Sequence, residues 1–155
     1  MADVRIHGPA LVCRVCTLRA AFPLPHVVET MRPLRVEAFA GAPPFVQGLA
    51  VIRGVPTPVV DLGTLLGSGE HAPPTRFVTL RVGEHRVAVA VESIEGIREL
   101  GRQETQELPA LLKAANAGFI ATVGTLDADL MMVLSAARII PKETWRALME
   151  SDGAR

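Results

Sequence analysis

Short apolar segments separated by glycine and proline run along almost the whole chain. This pattern is typical of an all-β barrel or sandwich. The strands are predicted at residues 10–18, 22–28, 34–39, 46–52, 57–61, 76–82, 86–91, 96–100, 119–126 and 130–134. Helical structure is expected only in short pieces, namely a turn at 62–66, part of a loop at 105–115 and a closing helix at 141–149.

The composition excludes several classes of protein. With 155 residues, of which 49% are hydrophobic and 21% charged, the chain can bury one sizeable core and is not disordered. Its formal net charge is zero and its aromatic residues are few, so we expect no nucleic-acid partner. No apolar run approaches the roughly 20 residues of a spanning helix, and the first residues do not form a secretory signal. The chain is therefore expected to be cytoplasmic, with no direct membrane insertion.

One arginine stands out because of its position between two apolar strands. Arg53-Gly54 separates the predicted strands 46–52 and 57–61, and Gly54 can adopt a positive φ at little cost. We expect a tight turn that displays Arg53. An interface role is the favoured interpretation, and a solvated charge or an internal carboxylate partner remains open.

The two cysteines form a single Cys-x-x-Cys motif, Cys13 to Cys16. The surrounding residues 11–18 read as one strand, on which residues three apart point to opposite faces. Core thiols are therefore favoured over a redox pair or half of a zinc site. The four histidines are scattered without metal-ligand spacing, so we expect neither a cofactor nor a metal ion.

A weak internal repeat divides the chain into two similar units. Residues 28–31 match residues 94–97 at an offset of 66 (Glu29 to Glu95), and residues 60–66 match 134–140 at an offset of 74 (Asp61 to Ser135). The two matches occur in the same order, which predicts two small barrels that share a core.

The residues around Arg53 resemble the signature of the CheW-like domain, the coupling module of bacterial chemosensory systems. The family pattern, Asn-Leu-Arg-Gly followed by a strand ending Pro-Val-Ile-Asp-Leu, reads here as 51–54 followed by 58–62. The family's Val-Asp-x-Val segment is matched by 91–94. Three positions depart from the pattern, because Val51 replaces Asn, Glu92 replaces Asp and Ser135 replaces a common Asp.

The resemblance spans residues 9–140, with residues 141–155 as a C-terminal helix and tail. It implies two intertwined SH3-like five-stranded β-barrels with no enzymatic activity and no cofactor. It further implies an adaptor that couples the cytoplasmic tip of a chemoreceptor to the regulatory domain of a CheA-type histidine kinase. The implied receptor-facing residues are Arg53, Ile52, Val51, Met31, Val91 and Ile94. The implied kinase-facing residues are Glu29, Val28, Glu95 and Ile97. For the apolar members, ordinary core packing is the competing interpretation.

Two alternatives remain. Residues 59–64 imitate the Asp-Thr-Gly pattern of aspartic proteases, which would require a homodimer because the repeat places Ser135 opposite Asp61. Capping of the following helical turn by Asp61 is the simpler explanation. The second alternative is an auxiliary CheW-like paralogue that serves another motility pathway.

Overall fold

The computed structural model describes residues 8–67, 72–101, 105–106 and 118–146. Within them the chain is built mainly from strands, which confirms the predicted all-β class with short helices. The strands are β1 (Gly8–Val15), β2 (Leu18–Pro23), β3 (Val27–Met31), β4 (Val46–Ile52), β5 (Val55–Asp61), β6 (Arg76–Val82), β7 (His85–Val91), β8 (Ser93–Leu100), β9 (Thr105–Gln106), β10 (Ile120–Leu126) and β11 (Asp129–Leu134). The helices are α1 (Leu62–Leu65), α2 (Ala136–Ile139) and a 3-10 turn at Leu24–His26.

The strands form two sheets that exchange their hairpins. Sheet A has the order β8-β1-β2-β11-β10-β9, and sheet B has the order β3-β6-β7-β5-β4. Each sheet therefore takes one hairpin from one half of the chain and its other strands from the other half. Within each sheet, the hairpin pairs in parallel with the last strand of the opposite half, β2 with β11 and β7 with β5. The two sheets fit the predicted pair of intertwined SH3-like barrels.

The strand pairings bear directly on the internal repeat. In sheet B Val27 lies opposite Leu80, and in sheet A Ile94 lies opposite Cys13, so Val27 corresponds to Ile94 at an offset of 67. The predicted offset of 66 for this segment is therefore wrong by one residue, and Glu95 corresponds to Val28 rather than to Glu29. Val28 and Glu95 are the extra residues of matching β-bulges. Because both strands carry the bulge, it does not change the offset, and the predicted match was out of register because it aligned Glu29 with Glu95. The second offset, 74, agrees with the parallel pairings of β5 and β11.

The largest apolar cluster lies between the two sheets. It combines residues from β1 and β2 with residues from β6, β7 and β11, and it includes Phe22, Leu80, Val89 and Leu134, all with no exposed surface. Each sheet also has a smaller cluster of its own, around Met131 in sheet A and Phe77 in sheet B. Burial of these side chains drives the two halves together, and the shared core was predicted from the repeat.

Three predicted strands differ from the structure. The strand predicted at 22–28 is interrupted by the 3-10 turn Leu24–His26, so its residues belong to the end of β2 and the start of β3. The single strand at 10–18 is a hairpin, because the chain turns at Cys16, which has φ +55°, and Val15 pairs with Leu18. Cys16 therefore lies in a turn, and the argument that placed both cysteines along one strand was wrong. The segment 34–39 forms only one bridge, between Glu37 and Leu49. That segment crosses β4 at Gly48, where its backbone packs too closely for any side chain, so it does not extend along the strand.

The predicted closing helix is present at residues 142–146, and the remaining residues of 141–149 lie outside the described ranges. Its Trp145 ring stacks on His85 at the start of β7, with the ring centroids 5.2 Å apart. Of the predicted loop 105–115, only the short strand β9 is described.

Candidate functional site

Arg53 occupies a tight turn between β4 and β5. Ile52 pairs with Val55, so Arg53 and Gly54 are the two central residues, with φ of +54° and +77°. Two consecutive positive φ angles define a type I′ turn, whose twist matches that of the flanking strands. The positive φ predicted for Gly54 is present. Arg53 also has a positive φ, although residues other than Gly, Asn and Asp are uncommon in that region. The side chain of Arg53 is 72% exposed.

A carboxylate partner holds this exposed arginine. Arg53 Nε donates to Glu29 Oε2 at 3.1 Å and Arg53 Nη2 donates to Glu29 Oε1 at 2.9 Å, a two-pronged contact that suits the planar guanidinium. The hydrogen bond from Arg53 is the main cause that lowers the pKa of Glu29, and the same bond raises the pKa of Arg53. The sequence left an internal carboxylate open as an alternative, and the structure contains one. A predicted receptor-facing residue and a predicted kinase-facing residue are thus in direct contact.

The position of Glu29 is fixed by a bulge in β3. The register of β3 against β6 shifts between Val27 and Glu29, which leaves Val28 as the extra residue. The buried Thr79 hydroxyl bridges this irregularity, because it accepts from the Glu29 amide and donates to the Glu29 carbonyl, both at 3.2 Å. Sequence reasoning missed Thr79. A lone threonine in an apolar strand, with its hydroxyl requiring a partner, was the available signal.

Large apolar side chains surround the Arg53 turn. Val51 is 66% exposed and Val55 is 56% exposed, and they flank Arg53 on either side of the turn. Val51 occupies the position where the family pattern has Asn, so the surface beside the Arg53 turn is more apolar here than in that pattern. Met31 is half-buried against the core of sheet B. An arginine with an apolar rim is a chemistry typical of protein interfaces.

The other predicted receptor-facing residues are less accessible. Ile52 and Val91 are buried, in the core of sheet B and the shared core respectively. Ile94 is half-buried against the shared core. In this structure Ile52 and Val91 therefore pack beneath the surface, in agreement with the competing interpretation of core packing.

Glu95 is tied into a network in sheet A. Arg19 Nε donates to Glu95 Oε2 at 2.8 Å, and Arg14 Nε donates to Glu95 Oε1 at 3.0 Å. Burial acts to raise the pKa of Glu95, but the hydrogen bonds from Arg19 and Arg14 outweigh it, so the pKa is lowered. The buried Arg19 also contacts Asp129 at 3.0 Å and donates to the Leu126 carbonyl. Sequence reasoning missed this network, because the hairpin that sets Arg14 opposite Arg19 was taken for a single strand.

The remaining predicted kinase-facing residues lie on the edge strands of the two sheets. Val28 is half-buried on β3, at the edge of sheet B, and Ile97 is 58% exposed on β8, at the edge of sheet A. An edge strand with exposed apolar side chains is open to pairing or packing with another protein. Val28 directly precedes Glu29, the partner of Arg53, whereas Ile97 lies in the other sheet.

The features that suggested chemistry have structural explanations. Asp61 caps α1, since its carboxylate accepts from the Gly63 amide at 3.1 Å and from the Thr64 hydroxyl at 3.2 Å. Burial raises the pKa of the Cys13 thiol to about 12, with a smaller contribution from the charge of Glu95. In the part of the chain that the structure describes, no cluster of three or more His, Cys, Asp or Glu side chains is placed to bind a metal ion. No helix among those same residues is long and apolar enough to cross a membrane.

These features define a two-sheet, intertwined all-β domain of the SH3-like class. The family model named CheW-like domain matches the sequence over residues 9–144, and the chain belongs to that family.

Known proteins similar to it include a curated relative and a solved structure. A curated relative, Protein FrzA of Myxococcus xanthus, is 30% identical over 89 residues, which cover 56% of each chain. The chain thus spans just over half the length of that relative. A solved structure, the scaffolding protein TtCheW from Thermoanaerobacter tengcongensis, has a TM-score of 0.76 at 14% identity, covering 89% of this chain and 95% of that one. This second likeness establishes the fold.

Proposed function

We propose that the protein is a non-catalytic adaptor of a bacterial chemosensory array in the cytoplasm. It couples the cytoplasmic tip of a chemoreceptor to the regulatory domain of a CheA-type histidine kinase. Membership of the CheW-like family and the similarity to a scaffolding protein support this proposal. The single observation that carries it is the Arg53 turn, an exposed arginine held in place by Glu29 and flanked by exposed valines.

The receptor would dock on the Arg53 turn. A receptor tip is a helical hairpin, and its side chains would pack on Val51, Val55 and Met31 while Arg53 donates to an acceptor on the helix. Ile52, Val91 and Ile94 would support this surface from below. Because Glu29 already orients Arg53, little side-chain freedom would be lost when the receptor binds.

The kinase would dock on the edge strands. Val28 and Glu29 of β3 and Ile97 of β8 are the proposed contacts, with Glu95 holding β8 in place through its two arginine partners. An auxiliary CheW-like protein of another motility pathway would use the same surfaces, with a different receptor and kinase. The capping role of Asp61 removes the main reason for considering a dimeric aspartic protease.

The proposal is tested by binding of the purified protein to two fragments from the same organism, a soluble receptor tip and the regulatory domain of the kinase. Arg53→Glu should weaken binding to the receptor tip by about tenfold or more, because it removes the donor and places two carboxylates together. Its thermal midpoint should change little. Arg35→Glu is the matched control, since Arg35 is also exposed and contacts a glutamate, Glu37, at 2.8 Å.

Failure of the wild-type protein to bind the kinase domain in the micromolar range would argue against the adaptor function. Unchanged receptor binding by Arg53→Glu would remove Arg53 from the interface. An Arg53→Glu protein that does not fold would make the residue structural, and the charge-swapped double variant Glu29→Arg/Arg53→Glu then restores the internal pair and separates the two roles.

A further inference from the structure

The two sheets each present a pair of arginines at the same place. Arg14 pairs with Arg19 across the β1–β2 hairpin, and Arg81 pairs with Arg86 across the β6–β7 hairpin. The two pairs are related by the offset of 67 that the strand pairings establish. They therefore occupy equivalent positions in the two halves of the molecule.

The surroundings of the two pairs differ sharply. In sheet A, Glu95 accepts from both arginines, and Asp129 and Asp127 lie within 3.0 Å and 3.9 Å of Arg19. In sheet B the position of Glu95 is taken by Val28. The β4–β5 turn carries Arg53 where the β10–β11 turn carries Asp127. The three carboxylates of one site thus have no counterpart in the other.

Arg81 and Arg86 consequently remain exposed. Neither forms an ion pair or a side-chain hydrogen bond with any residue in the described ranges. Glu29 is close enough for the charge of Arg86 to contribute to lowering its pKa, but both of its oxygens already accept from Arg53. Like charges directly opposite each other on paired strands are destabilising. The molecule therefore tolerates an unfavourable contact at this position.

A depression adjoins Arg81 of this pair. A concave surface of about 290 Å³ is lined by Arg81 and Gly83 of the hairpin, His26 of the 3-10 turn, and Ser135 and Ala137 at the start of α2. The Ser135 hydroxyl makes no capping hydrogen bond to α2, in contrast to Asp61 at the equivalent position before α1. Arg81, His26 and Ser135 are all residues that can donate to an anion.

We propose that the Arg81–Arg86 face of sheet B is a docking surface for an acidic segment of a partner protein, whose carboxylates take the place that Glu95 and Asp129 occupy in sheet A. Two observations support an acidic partner. The exposed arginines are complementary in charge to carboxylates, and in the equivalent site of sheet A the arginine pair is neutralised by carboxylates on a strand and on a turn. The surface adjoins the Arg53 turn, since Glu29 contacts Arg53 and lies close enough for the charge of Arg86 to affect its pKa. The inference does not depend on the identity of the receptor or the kinase.

The test uses a peptide of ten residues in which glutamate and threonine alternate, because an extended chain then carries all its carboxylates on one face. The control peptide replaces each glutamate by glutamine. NMR of the arginine Nε–Hε groups reports the contact. We expect the signals of Arg81 and Arg86 to shift with the acidic peptide, while those of Arg14 and Arg19, already neutralised, stay in place.

Variants separate a specific site from general attraction. Arg81→Gln/Arg86→Gln should weaken binding of the acidic peptide about tenfold or more, as expected for loss of charge-assisted hydrogen bonds. Arg32→Gln/Arg76→Gln is the matched control, since it removes two exposed arginines at the opposite end of β3 and β6. Equal weakening by both double variants would overturn the proposal. So would equal binding of the glutamine peptide, or the same arginine shifts produced by inorganic phosphate at the same concentration. Loss confined to Arg81→Gln/Arg86→Gln supports it, even if the receptor and kinase do not bind.

Discussion

Replacement of Arg19 by methionine tests how much the sheet A network stabilises the fold. Arg19 is buried and joins three strands, because its guanidinium contacts Glu95 of β8, Asp129 of β11 and the carbonyl of Leu126 at the end of β10. Methionine is similar in length but has no hydrogen-bond donor. The variant would remove the side-chain donor to the Leu126 carbonyl and one of the two arginines that hold Glu95.

The structure sets the size of the effect. Breaking a fully buried ion pair by removing one partner costs about 3–5 kcal/mol. This network is only partly buried, since the side chain of Glu95 is 24% exposed and that of Asp129 is 47% exposed. Glu95 also keeps its bond to Arg14. We therefore expect a loss of about 2–3 kcal/mol in the free energy of unfolding.

Urea unfolding followed by circular dichroism measures this loss. With a slope of about 2 kcal/mol per molar urea, the midpoint should fall by about 1–1.5 M. Arg98→Met is the matched control, because Arg98 contacts Asp127 at 3.1 Å on the surface and an exposed pair is worth at most about 1 kcal/mol. An Arg19→Met protein as stable as the wild type, or one that loses no more than Arg98→Met, would refute the reasoning.

Three further predictions follow from the fold. Its two arginine partners lower the pKa of Glu95 in the folded protein below the ordinary value of 4.5, so its stabilising contribution is complete above that value and is lost as the pH falls through the lower folded pKa. The difference between the urea midpoints of wild type and Arg19→Met should therefore shrink below about pH 4.5, and a constant difference would contradict this. Gly48→Ala should lower the thermal midpoint far more than Gly83→Ala, since a Cβ at Gly48 would clash with the Glu37 carbonyl oxygen, whereas at Gly83 it meets nothing within 4 Å and is opposed only by the positive φ of 60°; similar midpoints would disprove the close approach. The buried Cys13 thiol, with its pKa raised to about 12, should not react with a disulfide reagent near pH 8 until the protein unfolds, and rapid reaction of two thiols in the native protein would show the burial to be wrong.

The sequence predicted the secondary structure correctly where the conformation of a segment depends on residues close to it in the chain. The strand at Val46–Ile52 and the hairpin Arg76–Val82 with its turn at Gly83 agree with the sequence prediction, because apolar β-forming runs were bounded by turn residues. The cap of Asp61 on α1 was also predicted, since it involves residues only two and three positions away. The first hairpin was missed because its turn contains no glycine: Cys16 adopts the positive φ that the turn requires.

The amino-acid sequence by itself determined the class of the fold, the twofold repeat, the display of Arg53 and the family to which the chain belongs. Each of these conclusions depends on patterns among residues close together in the chain, which can be recognised in the sequence alone. Only the tertiary structure decided which charges meet. The contacts of Arg53 with Glu29 and of Arg19 with Glu95 join residues that are 24 and 76 positions apart. The second contact exists because the β1–β2 hairpin pairs with strands from the other half of the chain. The register of the repeat was equally invisible, since it is defined only by the strands with which Val27 and Ile94 pair.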